Sequence, residues 1–306
     1  MLCACSLAST VLSWTFRLCV VSLLFGITTA LASRFGPRTG KVWFFARYAF
    51  CTWYLCSLSV VFLPIFIFRK PKDVDNCRWA ATYLRIMAAV VGIKYELRGA
   101  EYLQAPPGGT PKDYENGAVI VCNHQSAYDV VGLFDIWEHL GRCTIIAKKE
   151  LMWLIPFGHA AYYAGVTFID RSRSQDAHRV LEQTATAMRV QRTKLLLYPE
   201  GTRNKTDCPE KLLPFRKGAF KTAMNAKCPL IPMIFSPYHF IRTKDYHFGT
   251  GTVIIQVLPP TNTTSLADSD LDKLLNETYD KMSKVYTELS AEVCKANNNS
   301  QSKKSL

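Results

Sequence analysis

The run AVIVC NHQSAYD VVGLFDIWEHL, residues 118–140, changes character twice within 23 residues. Ala118–Cys122 is short, apolar and rich in β-branched residues, the signature of a buried strand. The polar septet Asn123–Asp129 follows with no spacer, and apolar residues then recur at helical spacing as far as Leu140. A strand that passes through a short polar turn into a helix is the repeating unit of an α/β sheet. The same alternation continues down the chain. Cys143–Ala147, Val166–Ile169, Leu195–Tyr198, Leu230–Phe235 and Val253–Leu258 are predicted strands. Gln175–Met188 and Phe215–Asn225 are predicted helices, and Leu271–Val293 a long final one. Strands this uniformly apolar need both faces covered, so the fold class is α/β, a mixed, mostly parallel sheet flanked by helices.

Ligands of open α/β sheets collect beyond the carboxyl ends of strands, and three of those ends carry chemistry. After Ala118–Cys122 come His124 and Asp129. A histidine titrates near neutrality and can accept a proton from a hydroxyl, and a carboxylate beside it fixes its tautomer and stabilises the imidazolium. Five residues on a regular helix turn through about 140°, so the two share no helical face. His124 is therefore expected before the helix and Asp129 in its first turn. A His and an Asp at this spacing also fit a simple helix cap.

Phe168-Ile169-Asp170-Arg171 ends the second strand of interest. Tyr198-Pro199-Glu200-Gly201-Thr202-Arg203 ends the third, followed by Leu213-Pro214-Phe215-Arg216-Lys217-Gly218. Arg171, Arg203 and Lys217 are cations placed where a phosphate can be held, and Gly201 lets backbone approach it closely. Taken singly, each cation is more ordinarily half of a surface ion pair.

Charge is unevenly distributed. The chain has 306 residues, 37 Lys and Arg against 24 Asp and Glu, and 49% hydrophobic residues, which excludes a disordered or fibrous protein. Residues 1–100 hold 12 basic and 3 acidic residues, most of the excess. Two apolar stretches lie there, Leu7–Ala32, interrupted by Arg17, and Tyr48–Phe68, which has no charge. Both approach the ~20 residues that cross a bilayer. The first lacks a basic leader region and carries a charge in its middle, so cleavage as a signal peptide is not expected. Basic clusters lie between the stretches (Arg34, Arg38, Lys41) and after them (Arg69, Lys70, Lys72). Two full spans put these on opposite sides of a membrane, whereas a helical hairpin dipping into one leaflet keeps both on the cytoplasmic face. The hairpin is the expectation, with Pro64 helping to bend it, and full spans are the alternative.

The expected organisation is a membrane anchor of two apolar helices at 1–72, an amphipathic linker helix and Pro/Gly-rich loop at 73–117, an α/β domain at 118–296 that carries the loaded strand ends, and a disordered tail at 297–306. Eleven cysteines form no CxxC pair and sit mostly in apolar runs, as reduced thiols do, and Cys3 and Cys5 also fit palmitoylation. The six histidines make neither HExxH nor a Cys/His cluster, so no metal is expected. Basic residues adjoin bilayer-length apolar runs without any nucleic-acid-binding motif, so nucleic acid is not an expected partner.

The ordered set NHQSAYD (123–129), GVTFIDR (165–171), YPEGTR (198–203) and IPMI (231–234) resembles the four blocks of the 1-acyl-sn-glycerol-3-phosphate acyltransferase family, the lysophosphatidic acid acyltransferases. With the anchor, the similarity spans most of the chain. Tyr198 stands where Phe is common, and Met233 follows Pro232 in the least specific block. The resemblance implies transfer of a fatty acyl group from acyl-CoA, a co-substrate rather than a tightly bound cofactor, to the sn-2 hydroxyl of lysophosphatidic acid. It implies His124 as general base oriented by Asp129, with direct attack on the thioester. Arg171, Glu200, Gly201, Thr202 and Arg203 would position the phosphate, with Lys217 as a helper. It also implies an endoplasmic-reticulum membrane enzyme whose catalytic domain faces the cytosol on a lipid bilayer. Rival expectations are an acceptor such as glycerol 3-phosphate or another lysophospholipid, an acyl-enzyme on Ser126 or Cys122, and a catalytically silent membrane-binding protein. Four sequons, at Asn204, Asn262, Asn276 and Asn298, test the side of the membrane, and they are expected to be unglycosylated.

Overall fold

The computed structural model describes residues 2–104, 117–170, 174–204 and 211–302. Two long helices, α1 (Leu2–Phe35) and α2 (Lys41–Arg69), pack as a hairpin, with Trp53 Nε1 donating to Ser22 Oγ at 3.0 Å. Helix α3 (Asp75–Val91) leads into strand β1 (Ile93–Arg98). Then follow β2 (Ala118–Cys122), α4 (Asp129–Asp135), α5 (Trp137–Leu140), β3 (Cys143–Lys148), α6 (Phe157–Tyr163), β4 (Thr167–Ile169), α7 (Ser174–Gln191) and β5 (Lys194–Leu197). The chain continues with α8 (Gly218–Ala226), β6 (Leu230–Phe235), the short pair β7 (Ile241–Arg242) and β8 (His247–Phe248), β9 (Gly251–Val257) and α9 (Leu271–Ser302).

Seven strands form one sheet in the order β1-β9-β6-β2-β5-β3-β4. Every neighbouring pair is parallel except β6 with β9, which is antiparallel. Side-chain alternation explains why the strands read as continuous apolar runs. Ile120, Cys122, Leu196 and Ile231 point into a core shared with α2, α3 and α4. Their neighbours Val119, Val121, Leu195 and Leu230 point into a second core under α7, α8 and α9.

Several boundaries differ from the sequence reading. Strand β1 lies in the segment expected to be a linker and pairs with β9 from Ile93↔Gly251 to Arg98↔Gln256. Its Lys94, Glu96 and Arg98 alternate with Ile93, Tyr95 and Leu97, the polarity of an edge strand rather than of a buried run. The sheet thus begins before residue 118. The expected helix over 129–140 is two helices separated at Ile136, α6 was not anticipated, and α8 begins at Gly218 rather than Phe215. Helix α9 runs on to Ser302, past Asn297 where a disordered tail was expected, because propagating a helix costs far less than starting one. Most of the expected loop at 104–117 falls outside the described residues.

The hairpin bends at Gly36–Gly40 and not at Pro64, which lies inside α2. Arg47, fully buried, clamps that bend by donating to the carbonyls of Gly36, Pro37 and Trp43 at 3.0–3.1 Å. The bend docks on the β7–β8 pair: Gly40 N–H donates to Tyr246 O at 3.1 Å and Phe248 N–H to Arg38 O at 2.7 Å. At the far end of α2, Lys72 N–H and the Asn76 side-chain amide both donate to Tyr163 O, at 2.9 and 3.0 Å. Both ends of this 29-residue helix are therefore tied to the same domain. Among the described residues it is the one helix long and apolar enough to cross a membrane.

Candidate active site

The site forms where β2 stops. Asn123 is fully buried and replaces the next rung of the ladder with its side chain: Nδ2 donates to Phe235 O at 3.0 Å and Oδ1 accepts Phe235 N–H at 2.8 Å. This anchors the turn to the end of β6 and frees residue 124 to leave the sheet. Gln125 Nε2 donates to the same Phe235 carbonyl at 2.9 Å.

His124 and Asp129 meet across the turn, with Nδ1 and Oδ2 2.8 Å apart. Asp129 begins α4 and is fully buried. Its Oδ2 also accepts the N–H groups of Gln125 and Ser126, at 2.8 and 3.0 Å, so the carboxylate closes the turn and holds the ring at once. With Asp129 accepting from Nδ1–H, the basic lone pair of the imidazole lies on Nε2. The ring stacks on Tyr198 at a centroid separation of 4.0 Å and 22° between planes. Tyrosine or phenylalanine supplies that face equally well, so the departure at Tyr198 keeps the stacking surface. Burial drives the Tyr198 hydroxyl well above its ordinary pKa, so it stays neutral.

Glu200 lies beneath the site. It is 3% exposed, and Oε1 accepts His124 N–H at 2.9 Å while Oε2 accepts Leu213 N–H at 3.3 Å. Burial pushes its carboxyl up to about 7, against the lowering effect of those two donors. Grouped by the sequence with the phosphate-positioning residues, Glu200 instead ties two loops together. Both of its oxygens are already engaged by backbone N–H groups. Asn204 N–H donates to His124 O at 2.8 Å and Arg216 N–H to Pro199 O at 2.8 Å, completing the lacing.

Gly201 has φ +70°, and a Cβ there would approach Arg216 Nε to 2.8 Å. The Arg216 side chain thus lies over Gly201, exposed, beside exposed Thr202 and Arg203. Arg216 was passed over in the sequence in favour of Lys217; its signal was its place in LPFRKG, just before a helix start. Lys217 pairs with Asp272 of α9 at 2.6 Å, both largely exposed. Arg171 lies outside the described residues, one residue beyond Asp170. The pair His124–Asp129 and the group Gly201, Thr202, Arg203 and Arg216 share one laced framework, whereas Lys217 is engaged elsewhere.

The site also abuts the helical hairpin. Tyr128, 2% exposed, packs its ring 5.4 Å from Tyr48 of α2 and 5.3 Å from Phe248. Beginning at Val130 and Phe134 of α4, an apolar cavity of about 140 Å3 continues between α2, α3 and the sheet, walled by Phe62, Leu84 and Phe168 among others.

Similarity to known proteins extends over most of the chain. A family model described as Acyltransferase matches residues 94–236. The human 1-acyl-sn-glycerol-3-phosphate acyltransferase alpha is 34% identical over 250 residues, 81% of this chain and 83% of its own length. The human beta protein is likewise 34% identical over 250 residues, 81% and 84% of the two chains. A Haemophilus influenzae 1-acyl-sn-glycerol-3-phosphate acyltransferase is 28% identical over 244 residues, 79% and 95% of the two. The crystal structure of the 1-acyl-sn-glycerophosphate acyltransferase of Thermotoga maritima superposes with a TM-score of 0.57 at 16% identity, covering 85% of this chain and 96% of that one, a likeness of fold. With a third of its residues identical over four-fifths of its length, this chain belongs to the 1-acyl-sn-glycerol-3-phosphate acyltransferase family.

Proposed function

We propose that the protein transfers a fatty acyl group from acyl-CoA to the sn-2 hydroxyl of lysophosphatidic acid, giving phosphatidic acid and CoA. The observation that carries this reading is the 2.8 Å contact between His124 and buried Asp129 at the end of β2, beside the arginine-bearing loop after β5. His124 Nε2 takes the proton from the acceptor hydroxyl as its oxygen attacks the thioester carbonyl. The carbon–sulfur bond then breaks, and the imidazolium returns its proton to the CoA thiolate. Asp129 stabilises the imidazolium in between. Arg203 and Arg216, with Thr202 and the Gly201 backbone, hold the phosphate, and Arg171 joins them through its motif position. The apolar cavity beside α4, about 140 Å3, suits one part of a hydrocarbon chain.

Direct transfer is favoured over an acyl-enzyme. Cys122 is fully buried and its thiol is pushed well above its ordinary pKa, so it is neither accessible nor ionised. The Ser126 hydroxyl accepts Tyr128 N–H at 3.2 Å within the turn. A phosphate monoester fits the arginine-bearing loop, which favours lysophosphatidic acid over lysophospholipids with larger headgroups; glycerol 3-phosphate is the second acceptor to assay.

The hairpin is the membrane anchor in this reading. A helix tied at both ends to one domain does not carry the chain to the far side of a bilayer, which supports insertion into one leaflet over two full spans. Exposed Leu23, Leu24, Phe25, Val60 and Val61 suit contact with lipid. The proposed placement, carried over from the family resemblance, is the endoplasmic-reticulum membrane with the domain on the cytosolic face.

The deciding experiment is acyl transfer by purified protein with lysophosphatidic acid and oleoyl-CoA, wild type against His124→Ala. Loss of about 10²–10⁴-fold in kcat is expected. Equal rates in the two proteins would remove the proposed base.

A further inference from the structure

The exposed apolar surface is not confined to the hairpin. Between β3 and α6 the chain reads Lys148-Lys149-Glu150-Leu151-Met152-Trp153-Leu154-Ile155-Pro156. Four large apolar side chains there face outward: Trp153 is 70% exposed, Ile155 71%, Leu154 56% and Leu151 38%. Contiguous apolar exposure of this kind on a folded surface marks a contact site rather than chance.

The segment is held firmly. Lys149–Trp153 forms a 3-10 turn, Leu154 N–H donates to Leu151 O at 3.2 Å, and Gly158 N–H donates to Leu154 O at 2.7 Å. A Cβ on Gly158 would come within 2.3 Å of the Leu151 and Met152 carbonyls, so only glycine lets α6 sit this close beneath the turn. The backbone therefore presents these side chains outward at a fixed position. Lys148 and Lys149, more than half exposed, stand at its polar base, where they pair with Glu150 and Asp170.

The occupant follows from what the turn adjoins. Leu151 and Phe157 wall the same apolar cavity as Phe62 and Phe66 of α2. Outside that shared cavity, α2 exposes Ile65, Ile67 and Phe68 on its side, and the turn exposes Trp153, Leu154 and Ile155 on the other. We propose that the turn Leu151–Ile155 is a second membrane-inserting element, which enters the same leaflet as the hairpin and flanks the cavity on the side opposite α2. Trp153 lies at the headgroup level, where indole rings favour the interface, and the two lysines meet anionic headgroups. The cavity is thereby bordered by lipid on two sides, and a hydrocarbon chain reaches it from the leaflet without crossing water.

This inference rests on the anchored reading above, and the test separates the two. Full-length protein is reconstituted into dioleoylphosphatidylcholine vesicles containing a minor fraction of phosphatidic acid, with or without lipids brominated along the acyl chains. Subtracting the tryptophan emission of Trp153→Phe from that of wild type isolates Trp153. Quenching of that component by brominated chains, with protection from aqueous iodide, is expected. Protein that floats with the vesicles while Trp153 responds to iodide and not to bromine overturns this inference and leaves the anchor intact. Protein that does not float overturns both. As a second readout, Trp153→Asp and Ile155→Asp are expected to lower kcat/KM on vesicle-borne lysophosphatidic acid by about tenfold. Activity on a water-soluble short-chain acceptor should be unchanged; equal losses on both substrates would also overturn the proposal.

Discussion

Glu200 accepts the backbone N–H of His124 through one carboxylate oxygen, at 2.9 Å, while the other oxygen holds Leu213. One buried carboxylate thus fixes the main chain of the proposed base, while Asp129 fixes its ring. Glu200→Gln presents an amide NH2 to one of two N–H donors, and a bond is lost. We expect kcat to fall about 10–100-fold with KM little changed, because His124 is displaced rather than removed. An unchanged kcat would show that the lacing is not needed.

The same carboxyl gives a pH signature. Its pKa in the fold is about 7, raised chiefly by burial. The unfolded chain has the ordinary value near 4.3. Between these values the folded state binds the extra proton, so stability falls as pH rises through that window and levels off above it. Wild type should lose more melting temperature than Glu200→Gln between about pH 5 and about pH 7.5, a range that covers most of the window. Parallel curves for the two proteins would contradict the raised pKa.

Asp129 carries three bonds on one oxygen, from His124 Nδ1 and the N–H groups of Gln125 and Ser126. In Asp129→Asn, the amide oxygen can take the Oδ2 place and keep the three bonds, but a neutral amide no longer stabilises the imidazolium, and an amide turned the other way sets its NH2 against all three donors. A loss of about 10³–10⁴-fold in kcat is expected, by analogy with the same change in a Ser-His-Asp triad. A far-ultraviolet spectrum like that of wild type would show that the loss lies in the ring and not in folding.

Chemistry was easier to read from the sequence than support. The covered strands announced themselves because both faces are apolar, and His124 and Asp129 were found because strand ends hold ligands. Strand β1 escaped because Lys94, Glu96 and Arg98 give it the polarity of an edge. Glu200 was grouped with the phosphate contacts because sequence order places it in YPEGTR, whereas only folding shows its side chain turned under His124. Asn123 looked like part of a polar turn, and its pairing with Phe235 joins residues 112 apart in the chain. Arg47 drew no notice beside the apolar run that begins at Tyr48, because its three carbonyl partners come together only when the hairpin bends.

Gly201 combines φ +70° with the Arg216 side chain lying where a Cβ would go. Gly201→Ala therefore costs about 1–2 kcal/mol of backbone energy and displaces Arg216. We expect KM for the lysophosphatidic acid acceptor to rise in Gly201→Ala and in Arg216→Ala. KM for acyl-CoA should move less, and Arg216→Lys should recover only part of the loss, since an ammonium lacks the bidentate fork. Equal changes in the two KM values would point to general damage instead of phosphate recognition.

Asn204 decides the side of the membrane on which the domain can work. It is 9% exposed, its Nδ2 donates to Lys211 O at 3.2 Å, and its backbone N–H donates to His124 O at 2.8 Å. A glycan on that nitrogen would disrupt the bond to Lys211 O at the residue whose backbone holds His124. Oligosaccharide is added in the lumen as the chain emerges, before that bond forms, so a lumenal domain would be modified and inactivated there. Asn262 and Asn276 are exposed and would accept glycans in the same compartment, which makes the assay sensitive. Active protein from a eukaryotic host should therefore show no mass shift on endoglycosidase H treatment. A glycan at Asn204 in active protein would refute the cytosolic placement, whereas the same chain forced into the lumen by a cleavable leader should gain glycans and lose activity.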